Sequence, residues 1–375
     1  MKAITTLLVL CVLGLLGFGL VMLFSVSPWD HSTKFVSRQA IAAGIGLAGG
    51  VALAWVDYRR LRSFAWPLAL LAVLMLILVL IPPLGHKANG ARRWFRTGGF
   101  QFQPSDFAKL AVLIGLAHYG AYAQRFMHSF RRGILVPILS VGLVLGLLFL
   151  EPDWGTAILI ASVTGVVLLV AGARWYYLLP PAVFGAAFVG VLLIYNPVRS
   201  DRIYSWLHLE ETKSGLGFQV WQSRLALGSG GVGGVGLNHS TQKKLVPEFW
   251  TDFIFAIVGE EFGFIGSAAV LLTFTILFLC GLTVAWRAAD AFGRLLATGI
   301  TFLIGVQALI NIGVVSGALP NKGLALPFLS YGGSNLIIVL FCAGILVSIA
   351  RQAEVAAETE SSLATLPGMA VTQLA

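Results

Sequence analysis

The chain has 375 residues, of which 58% are hydrophobic and only 11% are charged. Soluble domains are roughly one-quarter charged, so this composition excludes a soluble globular protein and indicates an integral membrane protein. The formal net charge of +9 does not indicate nucleic-acid binding, because the basic residues are dispersed among the loops between apolar segments. An anionic lipid or a lipid-linked substrate matches this charge better.

Ten apolar segments are each long enough to cross a bilayer as a helix, at about 20 residues per crossing. The sequence therefore predicts an all-α, polytopic membrane protein with ten transmembrane helices. The first segment is long for the apolar part of a signal peptide, and no small-x-small cleavage site follows it, so we interpret it as the first span. The ten segments are residues 4–25, 39–56, 64–82, 104–121, 133–150, 156–172, 176–195, 253–284, 291–315 and 332–350.

The charges in the short loops predict the orientation of these spans. Arginines follow spans two and four, and Arg174, Arg287 and Arg351 lie on the same side as the N-terminus. By the positive-inside rule that side is the cytoplasm, and an even number of spans places both termini there. Residues 1–351 form a single transmembrane domain in this interpretation, and we expect residues 352–375 to form a disordered cytoplasmic tail.

The extracytoplasmic loops carry more Lys and Arg than this rule favours. These cations cluster in the loop after span three and in a long loop, 196–252, between spans seven and eight. They either bind anions outside the membrane or persist because long loops are translocated regardless of charge. A loop of this length is usually functional or disordered. The stretch from Ser214 predicts an interfacial helix followed by a mobile glycine hinge.

Two motifs at the start of spans four and six carry charged side chains. Asp106 lies in the first turn of span four. Lys109 either pairs with Asp106 at i+3 or points, with Arg92 and Arg93, into a cavity that binds phosphate. The turn EPDWG, at residues 151–155, supplies two carboxylates. They either share a divalent cation or belong to a solvated turn.

Asp252 stands at the entrance of span eight, and Glu260 and Glu261 lie further along the same apolar helix. Asp252 is either a helix N-cap or a general base at the outer face of the membrane, and the two roles are compatible. A carboxylate at membrane depth costs roughly 2.5 to 3.5 kcal/mol, so each glutamate needs a partner or a function. At about 100° per residue, the two glutamates cannot both face Asp252. We expect structural pairing for each of them, and a polar cleft as the alternative environment of Glu260.

The last outer loop, SGALPNKGLALPFLSYGGSN, contains prolines and glycines that break the helix at membrane depth. Non-helical backbone is tolerated there only where protein buries it or where it lines a cavity. Lys322 is the only charged residue of this loop. Its side chain either binds a phosphate or extends to the lipid headgroups.

Six runs of sequence complete the pattern, in order between residues 89 and 335: NGARRWF, FQPSDFAKLA, EPDWGTA, GFQVWQSRLALGSGG, VPEFWTDFIFAIVGEEFGFIG and LPNKGLALPFLSYGGSN. Together they resemble the SEDS family of bacterial growth and division proteins, RodA, FtsW and SpoVE, and the ten-span count agrees with that family. The ARRWF run and the last motif look more like the FtsW branch, which acts in cell division, than the elongation branch.

This resemblance implies a peptidoglycan glycosyltransferase, a multi-pass protein of the bacterial cytoplasmic membrane that polymerises lipid II on the outer face. Lipid II is a disaccharide pentapeptide carried on undecaprenyl diphosphate. The family's catalytic aspartate belongs to the motif TDFIFA, which places it at Asp252. By similarity, Asp252 would deprotonate the GlcNAc 4-hydroxyl of the acceptor lipid II. That hydroxyl attacks the anomeric carbon of the growing chain and expels undecaprenyl diphosphate.

The resemblance also implies partners and a role for the outer cations, which would screen the charge that develops on the leaving diphosphate. The predicted diphosphate-binding residues are Arg92, Arg93, Lys109, Lys244 and Lys322. The predicted supporting residues are Glu260, Ser330, Arg96 and Lys243. The expected partners are lipid II, the nascent glycan strand, the membrane and a class B penicillin-binding protein that acts as transpeptidase, and no nucleic acid.

Two questions stay open at this point. One is whether a divalent cation, Mg²⁺ or Mn²⁺, is required; no other cofactor is expected. The other is the choice of function. A lipid II flippase or other transporter would use the same cations and would need charged or discontinuous helices that give access from both sides. A non-enzymatic scaffold for division proteins is the remaining alternative.

Overall fold

A computed structural model describes residues 1–26, 32–88, 91–97, 100–244 and 249–364 of the chain. Within these ranges the α-helices are α1 (Lys2–Val26), α2 (Ser32–Trp55), α3 (Ala65–Leu80), α4 (Pro104–Tyr122), α5 (Val136–Leu150), α6 (Trp154–Val170), α7 (Leu179–Tyr195), α8 (Pro197–Leu207), α9 (Leu209–Thr212), α10 (Phe218–Ser229), α11 (Ile254–Trp286), α12 (Ala291–Val315) and α13 (Gly333–Ala364). The strands are β1 (His86–Ala88), β2 (Ala91–Thr97) and β3 (Phe100–Phe102). Short 3-10 turns occupy Tyr58–Phe64, Gln124–Phe126, Trp175–Tyr177 and Gln242–Lys244, and a π turn occupies Arg131–Leu135.

The predicted all-α, polytopic architecture is confirmed, and each predicted span coincides with a helix. Eight helical segments in the described ranges are long and apolar enough to cross a membrane. Of the two other predicted spans, α6 is apolar but shorter, and α4 carries the buried pair Asp106 and Lys109, which lowers its hydropathy. The number of ten transmembrane helices therefore stays a prediction.

Helix α13 is longer than the last predicted span, because it continues through residues 352–364. This corrects the expectation of a disordered tail for that stretch. Its sequence is rich in Ala and Glu, which are strong helix formers, and adding residues to an existing helix is much easier than nucleating a new one. Lys2 lies 3.7 Å from Glu354 and so joins the start of α1 to this extension. Residues 365–375 lie outside the described part of the chain.

Close backbone contacts between small residues hold the helices together. A Cβ atom on Gly344 of α13 would overlap the carbonyl oxygen of Gly50 of α2, so there is no room for a side chain at either position. Inside a bilayer, helices gain little hydrophobic energy from association and depend on such tight packing. The pairing of α2 with α13 is therefore fixed by glycine.

All the long connecting segments lie at one end of the helix bundle, which we call the loop end. There, β2 pairs antiparallel with both β1 and β3. The turn at residues 151–153, helices α8 to α10, the segment before α11 and the loop 316–332 meet at the same end. Trp206 of α8, for example, donates a hydrogen bond of 2.9 Å from its indole nitrogen to Gly317 O.

The glycine-rich stretch after α10 is packed against α11 and does not form the mobile hinge that the sequence predicts. Helix α11 is kinked at Gly263, whose φ is +65°. Residues 231–235 supply the missing backbone partners, since Phe264 N donates to Gly231 O at 2.9 Å and Val235 N donates to Glu260 O at 2.9 Å. Irregular backbone at this depth is thus buried by protein, as the lack of water requires.

Candidate functional site

Asp252 lies at the loop end, immediately before α11. The N-cap position of that helix is Phe253, one residue after Asp252. The side-chain amide of Asn311 on α12 donates to Asp252 O and to Leu324 O, each at 2.7 Å. Asn311 therefore fixes the backbone of Asp252 against the loop 316–332. The Asp252 side chain is half-buried.

The carboxylate of Asp252 lies beside this loop. A Cβ atom on Gly323, which has a φ of +64°, would lie 3.3 Å from Asp252 Oδ2. Only glycine adopts this backbone conformation at little cost. The neighbouring residue, Lys322, contacts the start of α6 on the other side, because a Cβ atom on Gly155 would lie 2.8 Å from Lys322 O. Gly155 and Gly323 thus allow the loop to fit between Asp252 and the start of α6.

Four basic side chains interact electrostatically with one another, and Arg202 also interacts with Asp252. We call them the cation cluster: Arg93, Arg199, Arg202 and Lys322. Burial, together with repulsion from Arg199 and Arg202, lowers the pKa of Lys322. Burial lowers the pKa of Arg202 as well, and Arg93 lowers it further, whereas the charge of Asp252 raises it. Burial and the neighbouring arginines lower the pKa of Arg199 to about 10. Four like charges within electrostatic reach of one another favour the binding of an anion.

Two members of the cluster are held in place by main-chain oxygens. Arg93 donates from Nε to Glu151 O at 2.9 Å, and also donates from Nη2 to Pro152 O. Arg199 donates to the same Pro152 O at 2.7 Å and lies 3.9 Å above the ring of Trp154. Carbonyl oxygens orient a guanidinium without neutralising it, so both arginines keep their full positive charge.

Glu151 is buried within this turn and is not the solvated acid that the sequence favours. Its side chain is fully inaccessible to solvent, and within the described ranges neither carboxyl oxygen has a hydrogen-bond partner. Burial, reinforced by Asp153, raises the pKa of Glu151 to about 8, although Arg93 opposes the shift. Glu151 is therefore mainly neutral at pH 7, which leaves Arg93 without a competing carboxylate.

Asp153 has a structural role in the same turn. It accepts hydrogen bonds from Ser105 Oγ at 2.9 Å, from Gln103 Nε2 at 3.0 Å and from Thr156 N at 3.3 Å, where it caps α6. In the described ranges, no group of three or more His, Cys, Asp or Glu side chains is arranged to hold a metal ion. The involvement of a divalent cation stays an open prediction.

Lys109 lies in the interior of the bundle and outside the cation cluster, which corrects its assignment to the diphosphate. Its ammonium group is 2.8 Å from Asp106 Oδ1, which is the local pairing that the sequence leaves open. It also donates to Asn335 Oδ1 at 2.9 Å. Ser334 Oγ donates to Asp106 Oδ2 at 2.7 Å. This buried network joins α4 to α13 next to the loop that contacts Asp252.

Glu260 and Lys243 hold residues 238–243 in place. Glu260 accepts hydrogen bonds from Ser240 Oγ and, at 2.8 Å, from Thr241 N. Lys243 donates to Asn238 O at 2.9 Å and lies 3.9 Å from Glu261, which in turn accepts from Ser25 Oγ at 2.7 Å. Both glutamates are therefore paired with neighbouring groups, as the sequence led us to expect.

Of the remaining predicted residues, Ser330 lies in the turn before α13, and Arg92 and Arg96 lie on the small sheet. Ser330 Oγ accepts a hydrogen bond from Leu326 N at 2.8 Å and closes the turn that precedes α13. On the small sheet, Arg92 pairs in register with Lys87, and Arg96 pairs with Gln101. The side chain of Lys244 lies outside the described part of the structure.

The sequence interpretation did not assign Arg199 and Arg202 to the site, although a local signal was present. The two arginines are spaced at i and i+3 on α8, so they share one face of a short helix. Arg93 and Lys322 from the predicted set do lie in the cluster. The site is thus assembled from β2, α8, the turn at 151–153, the loop 316–332 and the start of α11.

Comparisons with known proteins agree with this architecture. A family model described as "Cell cycle protein", FtsW/RodA/SpoVE, matches residues 5–355. The chain is 40% identical over 349 residues to the probable peptidoglycan glycosyltransferase FtsW of Trichlorobacter lovleyi, covering 91% of this chain and 92% of that protein. It is 42% identical over 354 residues to the stage V sporulation protein E of Bacillus subtilis, covering 92% and 96%.

Two solved structures are also similar. One is a chain of a peptidoglycan synthase complex that coordinates polymerization and crosslinking; it has a TM-score of 0.77 and 30% identity, over 92% of this chain and 97% of that chain. The other is the rod shape determining protein RodA of Thermus thermophilus, with a TM-score of 0.68 and 30% identity, over 92% and 96%.

Proposed function

The chain belongs to the FtsW, RodA and SpoVE family of cell cycle proteins, and we propose that it is a peptidoglycan glycosyltransferase that polymerises lipid II with Asp252 as the general base. It is a multi-pass protein of the bacterial cytoplasmic membrane. We place the loop end on the outer face and both termini in the cytoplasm, in keeping with the arginines of the short loops at the opposite end. The sequence motifs favour the cell-division branch of the family.

The observation that carries this proposal is the position of Asp252 beside Arg202 of the cation cluster. A general base has to be ionised and within reach of the hydroxyl that it deprotonates. The carboxylate is half-buried, so a substrate can approach it, and its electrostatic partner Arg202 stabilises the ionised form. A half-buried carboxylate with a cationic neighbour fits this task.

The reaction would run at the boundary between Asp252 and the cation cluster. Asp252 takes the proton of the GlcNAc 4-hydroxyl of the acceptor lipid II, and the hydroxyl oxygen forms a bond to the anomeric carbon of the growing chain. The bond between that carbon and the diphosphate oxygen breaks, and undecaprenyl diphosphate leaves with the electron pair. In this proposal the diphosphate is bound by Arg93, Arg199, Arg202 and Lys322. Preoriented cations stabilise the charge that develops in the transition state.

A transpeptidase partner completes the proposal. The similar chain in a peptidoglycan synthase complex supports an assembly in which one protein polymerises and another crosslinks the glycan. We propose a class B penicillin-binding protein as that partner.

The test is lipid II polymerisation by the purified protein with its transpeptidase. Asp252→Asn keeps the size of the side chain but removes the base, and we expect the rate to fall by at least roughly a hundredfold. The matched control is Glu210→Gln, an exposed acid on α9, which should keep the wild-type rate. Polymerisation by Asp252→Asn at the wild-type rate would refute the assignment. Translocation of lipid II in liposomes by a protein that never polymerises it would favour the transporter alternative.

A further inference from the structure

A cavity of about 220 Å³ lies at the loop end between α8, α10 and the loop 316–332. Because a water molecule takes up roughly 30 Å³ in the liquid, the cavity has room for a ring-sized group and not for a long chain. Arg202 of the cation cluster forms part of its wall, and so does Asn321, the residue before Lys322. The cavity therefore adjoins the proposed reaction site.

The wall of this cavity is polar but carries little net charge. Its hydrogen-bonding side chains include Asp201, Arg202, Gln219 and Asn321, so one negative charge balances one positive charge. Asp201 is half-buried in this wall. Its carboxylate can accept hydrogen bonds from a ligand.

An aromatic residue forms another part of the wall. The indole nitrogen of Trp206 donates to Gly317 O at 2.9 Å, which fixes the orientation of the ring. Leu216 and Val220 extend this apolar surface. A rigid ring offers a flat apolar face, and the groups around it offer hydrogen bonds.

These features select among ligand classes. A lipid tail would form no hydrogen bonds with the carboxylate, the guanidinium or the amides of the wall. A phosphate alone would bond to the guanidinium and leave the acceptor oxygens of the wall unused. A neutral ligand with several hydroxyl and acetamido groups uses both the donors and the acceptors, and packs one face on an aromatic ring.

We propose that this cavity binds a sugar residue of the lipid-linked substrate, next to the diphosphate held by the cation cluster. The inference rests on the proposed function, because it takes the substrate to be a diphosphate-linked saccharide. Asp201 and Gln219 are then determinants of substrate specificity. They distinguish a diphosphate that carries a sugar from one that does not.

The experiment measures binding and polymerisation separately, with the full chain in nanodiscs. The binding probes are undecaprenyl diphosphate, its disaccharide derivative without the peptide, and lipid II. For Asp201→Ala and Gln219→Ala, we expect about tenfold weaker binding of both saccharide-bearing probes and unchanged binding of undecaprenyl diphosphate. Glu210→Ala, an exposed acid outside the cavity, should bind all three probes as the wild type does.

Three outcomes would overturn the inference: unchanged binding of all probes, an equal loss for undecaprenyl diphosphate, or a loss confined to the probe that carries the peptide. The last result would assign the cavity to the stem peptide. Polymerisation by the wild type decides the proposed function independently. If the wild type polymerises lipid II and the cavity variants bind all probes normally, only the assignment of the sugar site is wrong. If the wild type binds lipid II through this cavity but does not polymerise it, only the assignment as a glycosyltransferase is wrong.

Discussion

Arg93 binds the main-chain oxygen of Glu151, at 2.9 Å, and not the carboxyl group of the same residue. The carboxyl group is buried beside the guanidinium with neither oxygen hydrogen-bonded within the described ranges. The protonation state of Glu151 therefore decides whether the charge of Arg93 is available to a substrate. The groups that act on Glu151 are Asp153 in the same turn and Arg93 on β2, while Arg199 on α8 and Lys322 on the last loop belong to the cluster around Arg93.

The first prediction concerns activity at high pH. As the pH rises through about 8, Glu151 loses its proton and competes with the diphosphate for Arg93. We expect the polymerisation rate of the wild type to fall in this range, and the fall to be smaller in Glu151→Gln, which stays neutral. The measurement is the pH profile of lipid II polymerisation for both proteins. Identical profiles would show that Glu151 does not control the cluster.

The second prediction concerns stability and the same residue. Below the ordinary pKa of 4.5, Glu151 is protonated in both the folded and the unfolded chain. Between this value and about 8, only the unfolded chain ionises, so the folded state loses stability as the pH rises. Glu151→Gln should therefore raise the apparent melting temperature at neutral pH and have little effect at acidic pH. A uniform shift at all pH values would point to altered packing instead.

The third prediction separates the cation cluster from the cations on the small sheet. Arg202→Gln removes a charge that lies within electrostatic reach of Asp252, and we expect at least about tenfold weaker binding of undecaprenyl diphosphate, because a hydrogen bond to a charged group is lost. Arg96→Gln removes an exposed charge on β2 and should have little effect. Calorimetric or fluorescence titration of both variants gives the comparison. Equal losses would mean that the overall positive field, and not the cluster, attracts the ligand.

The fourth prediction concerns the buried pair of Lys109 and Asp106, which are 2.8 Å apart. Asp106→Ala leaves a buried ammonium group without its carboxylate, a change that costs about 3 to 5 kcal/mol. We expect a large fall in the melting temperature. The double variant Asp106→Asn with Lys109→Gln removes both charges and should recover much of it. If both single and double variants melt like the wild type, the pair is not a structural element.

The helices were predicted correctly from the sequence wherever one long apolar run forms one helix. The span that begins at Pro104, for instance, starts where a proline at the first helical position predicts. The small sheet was not predicted, because its strands have three to seven residues and β2 is rich in charged residues. The packing of Gly231 and Gly234 on the kink at Gly263 was also missed, since it pairs backbones that are distant in sequence.

The site was predictable to the extent that a motif defines it. Asp252 came from such a motif, and Arg93 and Lys322 came from their place in outer loops. From the sequence, Lys109 could either pair with Asp106 or point into a phosphate-binding cavity. Only the packing of α4 against α13 decides between these two positions. The i, i+3 spacing of Arg199 and Arg202 predicts that they share one face of α8, but it does not predict that α8 folds back over the turn that follows α5.

The kink of α11 at Gly263, with the segment 230–236 hydrogen-bonded into it, also limits how the proposed base can move. A helix without such contacts could slide or rotate about its own axis, but these backbone hydrogen bonds near the start of α11 oppose both movements. We therefore expect α10, the segment 230–236 and the first part of α11 to move together. A protein that controls the rate from outside the membrane would have to displace all three.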